Sequence, residues 1–334
     1  MATDDLRRIL VAAALMALLF AAGCSVLPPA DAGDRSDLTS SPPAHMPLGA
    51  QAEPAPAPPA SAEIADLPFF PQDDDLCGPA ALATILQAAG IDRTPEQLAP
   101  QVYLPGRQGS LQVEMLGAAR RAGAVPYVLR PQAADLWQEV AAGHPVIVLQ
   151  DLGTPLRARW HYAVVVGFDL PQDRITLRSG SVRRLDMTLA AFERSWSRGG
   201  RWAFVALPPP RLPVTAQETR LIAALSDFER VLPGLAPAGY EAALGVWPRS
   251  LLARLALGNA AYRQGKWSAA ARHYRQATQQ DPESADAWNN LAQALAQQAQ
   301  REEAMAAARR AVSLGGARSA TYAATLAQIE DGKP

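Results

Sequence analysis

The stretch Phe69-Phe70-Pro71-Gln72-Asp73-Asp74-Asp75-Leu76-Cys77-Gly78-Pro79-Ala80-Ala81-Leu82, read with Trp160-His161-Tyr162-Ala163-Val164-Val165-Val166-Gly167-Phe168, decides the fold. Cys77 is followed by Gly and Pro and then by an Ala-rich apolar run, which predicts a helix whose first turn begins at the thiol. At that place the free N–H groups and the helix dipole favour thiolate over thiol. Read alone, the cysteine is more often a small buried hydrophobe. Gln72 upstream and His161 downstream turn the reading towards an activated nucleophile with helpers.

Each helper has a physical role and a bland counterpart. The Gln72 amide is near enough in sequence to point at the same carbonyl as the Cys77 N–H and to stabilise an oxyanion, where the bland reading is a loop residue solvating three aspartates. His161 begins an apolar strand, from which an imidazole can take the thiol proton and later protonate a leaving amine. Of the other histidines, His45 lies in a Pro-rich segment, His144 precedes a proline and His273 falls in the helical half. If Asp169 and Asp173 flank a hairpin turn, His161 stands opposite Ser181 and diagonal to Ser179. Asp169 is then roughly 26 Å from the ring along its own strand. Ser179 is therefore the candidate orienter, with Ser181 and Asp186 behind it. Its hydroxyl accepts the Nδ1–H but supplies no charge to an imidazolium.

Around these residues, 63–207 reads as one α+β domain. Helices are expected at about 78–89, 95–101, 110–122, 132–142 and 188–195, and strands at about 126–129, 145–150, 161–169, 174–178 and 202–207. Helices come early and strands mostly late. Gln72, the Asp75-Leu76-Cys77-Gly78-Pro79-Ala80-Ala81-Leu82 string and His161-Tyr162-Ala163-Val164-Val165-Val166-Gly167 resemble the bacteriocin-leader (double-glycine) peptidases, a family of papain-like cysteine peptidases. The resemblance implies a papain-like fold, a Cys77/His161 couple with Gln72 as oxyanion donor, and cleavage of a peptide bond, often after paired small residues. In that family an Asp or Asn closes the next strand; here Arg178-Ser179-Gly180 stands in its place.

A Pro-rich linker, 208–214, separates this domain from a helical segment, 215–330, with a 34-residue period. Gly258, Gly265, Ala270, Tyr274, Ala277 and Pro282 resemble a tetratricopeptide repeat beginning at Leu251. A second copy starts at Ala285 and a degenerate one near Gln217. Small residues at these offsets let antiparallel helices approach, and such arrays commonly bind a peptide or protein partner. The bland alternative is an Ala-rich bundle without a groove.

The chain opens with Arg7 and Arg8, an apolar run from Ile9 to Ala22, and Ala21-Ala22-Gly23-Cys24. Residues 1–24 read as a secretory signal whose end resembles a bacterial lipobox, making Cys24 the lipidation site and the membrane a partner. Ser25 implies the outer membrane, and residues 25–62, rich in Pro and Ala, read as a disordered tether. With Cys24 acylated, the second of the chain's two cysteines, Cys77, stays a thiol. The net charge of -1, with dispersed basic residues, gives no argument for nucleic acid. No cofactor or metal site is expected, because the histidines and cysteines lack ligand spacing. The expected function is a lipid-anchored envelope cysteine peptidase acting on a peptide or protein substrate. The alternatives are a catalytically degenerate binding or scaffold lipoprotein, and an amidase or acyltransferase using the same thiol.

Overall fold

The computed structural model describes residues 58–71, 76–107, 109–154 and 156–332. The expected signal segment with Cys24, most of the expected tether, and Gln72 lie outside the described residues. The described residues belong to one compact unit, Ala55–Pro334.

The first part runs β1 (Ser61–Glu63), α1 (Cys77–Ala88), α2 (Pro95–Val102), β2 (Tyr103–Leu104), a 3-10 turn (Pro105–Arg107) and β3 (Gly109–Ser110). It continues with α3 (Gln112–Ala122), β4 (Val125–Val128), α4 (Ala133–Ala141) and β5 (Val146–Asp151). Then come β6 (Trp160–Asp169), β7 (Arg174–Ser179), β8 (Val182–Met187), α5 (Leu189–Arg198) and β9 (Ala203–Leu207). Thr94 starts α2 through a capping box with Gln97, and Pro95 fits the first turn, where its missing N–H costs nothing. The large sheet is antiparallel with order β4-β9-β5-β6-β7-β8, and β1 adds to β6.

Besides the short β2 and β3, which the sequence reading did not expect, two strands of the large sheet depart from the expectation. β8 was not expected: Val182-Arg183-Arg184-Leu185-Asp186-Met187 is an exposed edge strand whose charges mask the apolar alternation. β1 begins at Ser61, inside the segment expected as tether, because Ser61, Ala62 and Glu63 pair with Asp169, Phe168 and Gly167. The hairpin register also differs. Its turn lies between Asp169 and Arg174, one residue off the assumed pair, and a bulge between Val165 and Gly167 takes up the difference, so Val165 faces Leu177 and Val164 faces Arg178. At the site end of the hairpin the two deviations cancel.

The sheet separates two cores. Tyr162, Val164 and Val166 of β6 face α1 and α3, packing with Leu82, Leu86 and Met115. Ala163 and Val165 face the other way, and beyond the bulge Phe168 joins them, against Leu136 and Val140 of α4 and Phe192 and Trp196 of α5.

The second part is all helical: α6 (Glu218–Glu229), α7 (Ala236–Val246), α8 (Leu251–Arg263), α9 (Trp267–Gln280), α10 (Ala285–Ala296), α11 (Arg301–Leu314) and α12 (Ser319–Glu330). Gly258 is where α8 meets α9, since a Cβ there would overlap the Tyr274 ring, only 2.7 Å from its Cδ1. The segment joining the two parts is tied down. Buried Glu139 accepts from the Thr215 N–H and hydroxyl at 2.8 and 2.6 Å, and the Gln217 N–H donates to Tyr127 Oη at 3.0 Å. Leu221, Leu225, Phe228 and Tyr240 continue the α4/α5-side core of the sheet, so α6 and α7 are packed onto the first part.

Candidate active site

Helix α1 begins at Cys77, whose N-cap Leu76 supplies no side-chain cap, so first-turn N–H groups stay available at the thiol. Cys77 is buried. Its Sγ accepts the N–H of Tyr162 at 3.5 Å, which brings the helix start to the residue directly after His161. Gly78 permits a second approach: a Cβ there would stand 2.6 Å from Ser110 Cβ and closer still to its Oγ. β3 thus lies against the first turn, and the Tyr162 hydroxyl donates to the Ser110 carbonyl at 3.2 Å. Burial, and then the negative charge of Cys77, push the Tyr162 phenol well above its ordinary value. Ser110 Oγ is buried with no hydrogen-bond partner among the described residues.

His161 is buried at the start of β6. Its Nε2 lies 2.8 Å from Ser179 Oγ, across the diagonal of the β6/β7 ladder. The contact uses Nε2, not the Nδ1 expected from sequence. Gly180, with φ +57°, turns the chain immediately after Ser179, ending β7 there. Asp186 is held elsewhere: its carboxylate accepts from Thr176 at 2.7 Å and Arg184 at 3.0 Å, and these bonds, the Thr176 one first, hold it below the usual range. Gln150, the register partner of His161, gives its amide to Ser195 Oγ at 2.7 Å. The structure therefore brings together Cys77, His161 and Ser179, while Gln72 and Cys24 are outside the described residues.

Cys77 and His161 open onto one cavity of about 1040 Å³. Its wall carries Arg107, Arg157, Arg159 and Arg198, none of which the sequence reading singled out. They come from three separate segments, and only Arg157-Ala158-Arg159, close before His161, was a visible signal. Among the described residues no group of three His, Cys, Asp or Glu could hold a metal ion.

The profile of the Peptidase_C39 like family matches residues 64–203, the whole span that carries Cys77, His161 and Ser179. The α+β part is a C39 peptidase-like domain. A TPR repeat profile matches residues 258–298, in α8 to α10 of the helical region that follows. Solved structures similar to the chain include a C39-like peptidase from Bacillus anthracis, at 18% identity and TM-score 0.38, covering 45% of this chain and 99% of that one. Another is a double glycine motif protease from an AMS/PCAT transporter in complex with the leader peptide, at 21% identity and TM-score 0.35, covering 44% and 94%. A third is the peptidase domain of Streptococcus ComA, a bifunctional ABC transporter in a quorum sensing pathway, at 23% identity and TM-score 0.35, covering 42% and 97%. No curated protein matches the chain.

At Ser179 the C39-like domain offers the His161 ring a hydroxyl. Ser179 orients the ring without charge, and the neighbouring Arg178 adds a buried cation, its guanidinium donating to the Arg183 carbonyl. Burial lowers the affinity of Arg178 for its proton, as expected of a cation short of partners.

Proposed function

We propose that the chain is a cysteine peptidase of the bacterial envelope, tethered through acylated Cys24 to the outer membrane, whose helical repeats recruit the substrate or a partner protein. A peptidase-related function follows from the C39 peptidase-like domain beside a TPR repeat; the anchor and the turnover are the proposed part. The observation that carries the reading is the meeting of the Cys77 thiol, at a helix start, with the strand segment His161-Tyr162, while Ser179 Oγ stands at His161 Nε2.

In this reaction His161 takes the Sγ proton, and the thiolate attacks the scissile carbonyl carbon. The carbonyl π pair moves to oxygen, where the Cys77 N–H and the Gln72 amide receive the oxyanion. Collapse breaks the C–N bond and the imidazolium protonates the leaving amine. Water, giving a proton to His161, then attacks the thioester, and the acid product departs with the thiol restored. The helix N-terminus favours thiolate throughout.

A second reading is specifically favoured by Ser179: with a hydroxyl at this position, the domain is a peptide-holding module with a dormant thiol. An amidase or acyltransferase would pass through the same thioester. Internally quenched peptide libraries incubated with the full-length protein, Cys77→Ala and His161→Ala test the choice. Cleavage lost in both variants, with a thioester at Cys77 trapped by acid quench, is the expected result. Absence of cleavage with peptide still bound supports the holding module.

A further inference from the structure

Among the described residues, the charge lining the cavity is lopsided. Arg107 ends the turn before β3, Arg157 and Arg159 stand in the β5–β6 loop, and Arg198 ends α5. Among the described residues lining the cavity there is no carboxylate. The chain as a whole is not basic, with 31 Lys and Arg against 32 Asp and Glu, so composition does not produce this cluster.

The loop that presents these side chains is built. Asp151 Oδ1 accepts the N–H groups of Gly153 and Arg159, both at 2.8 Å, and these bonds hold its carboxyl below the usual range. Thr154 and Arg157 exchange backbone hydrogen bonds at 3.0 and 3.1 Å, and the Leu152 N–H donates to the Arg159 carbonyl at 2.8 Å. A Cβ at Gly153 would overlap the Arg157 carbonyl, which makes glycine the residue for this close return. Arg198 clamps the base of the loop, donating to the Asp151 carbonyl at 2.6 Å with its Nε 3.6 Å from the carboxylate. Asp151 is thus matched by Arg198. Arg107 and Arg157 are exposed, and their side chains make no hydrogen bond or ion pair among the described residues. Trp160 and Leu152, both half-exposed, add apolar wall beside them.

We propose that the ligand of this site is an acidic peptide, with Asp or Glu side chains near the scissile bond bound as carboxylates by Arg107 and Arg157. The inference rests on Cys77 being the nucleophile that faces this cavity. Arginine pairs with carboxylates through parallel N–H donors, and a cleft lined by one sign of charge concentrates the opposite sign. A cavity opening on a thiol fits a chain threaded past it better than it fits a flat anionic lipid surface.

The test reads the cavity without requiring turnover. Full-length protein is alkylated with iodoacetate and, in parallel, with iodoacetamide, and modification of Cys77 is quantified by mass spectrometry. The ratio of the two rates cancels any change in thiolate fraction. The native ratio is expected to exceed that of Arg107→Gln/Arg157→Gln by about tenfold, and to fall with salt. Hexapeptide pools rich in Asp and Glu are expected to shield Cys77 from iodoacetamide at lower concentration than matched Asn and Gln pools. An unchanged ratio, or equal shielding by the two pools, overturns the proposal, as does shielding by phosphatidylglycerol vesicles where acidic peptides give none. A protein that shows both effects yet hydrolyses no peptide keeps this inference and loses the peptidase reading.

Discussion

Ser179 Oγ stands 2.8 Å from His161 Nε2, so the His161 imidazole is held by a hydroxyl. The bond fixes the ring, and the hydroxyl itself brings no charge to an imidazolium. Ser179→Ala is expected to lower kcat/KM by about fivefold, the worth of one hydrogen bond of ~1 kcal/mol. Ser179→Asp is expected to raise it by about the same factor, because a charge-assisted bond is roughly twice as strong. Hydrolysis of one cleaved peptide by the three proteins checks both directions.

Gly78 is required where β3 meets the first turn of α1. Gly78→Ala drives a methyl into the Ser110 side chain and towards Met115 Sδ, 3.2 Å from the added carbon. A loss of about 1–3 kcal/mol of stability is expected, typical of overpacking. The double variant with Ser110→Gly should recover most of it in denaturant titrations. No recovery would show that the clash lies elsewhere.

The active-site residues were legible in sequence to different degrees. Cys77 at a helix start and His161 at a strand start followed from local pattern alone. The Ser179 position followed from hairpin arithmetic that holds only because a shifted turn and the bulge before Gly167 cancel. The four arginines were illegible as a group, since folding alone brings the β3 turn, the β5–β6 loop and the α5 end to one cavity. β8 was missed because an edge strand buries one face at most, and its charges hide the period.

The tie between the two parts was also beyond sequence reading, which saw in 208–214 a linker. Leu221, Leu225 and Phe228 complete a core begun by Tyr127, Leu136 and Val165. A chain ending at Leu207 exposes that face and is expected to lose about 3 kcal/mol or more, given 1.5–3 kcal/mol for each buried large side chain. Urea midpoints of the long and short chains measure it, and equal midpoints would refute the shared core.

Glu139 is buried and accepts both the N–H and the hydroxyl of Thr215, with His144 Nδ1 2.7 Å from its other oxygen. Glu139→Ala strands these groups and is expected to cost about 3 kcal/mol or more. Thr215→Val removes one donor and should cost about 1 kcal/mol. The order of the two losses, read from thermal unfolding, is the check.

Acid should loosen the cavity wall through Asp151. Its folded pKa is depressed, chiefly by the Arg159 and Gly153 N–H bonds, so its stabilisation is complete above the unfolded value near ~3.9 and is lost as pH falls through the folded value. Proteolytic nicking of the β5–β6 loop is expected to rise below about pH 4 in the native protein. In Asp151→Asn it should be raised at every pH and flat across this range.

The central claim is that His161 activates Cys77. The direct measurement is the pH profile of iodoacetamide alkylation at Cys77 in the full-length protein and in His161→Ala. The account predicts a native half-point well below the ~8.5 of an ordinary thiol, moving up when the imidazole is removed. A profile near that value in both proteins, or one indifferent to His161, would contradict it.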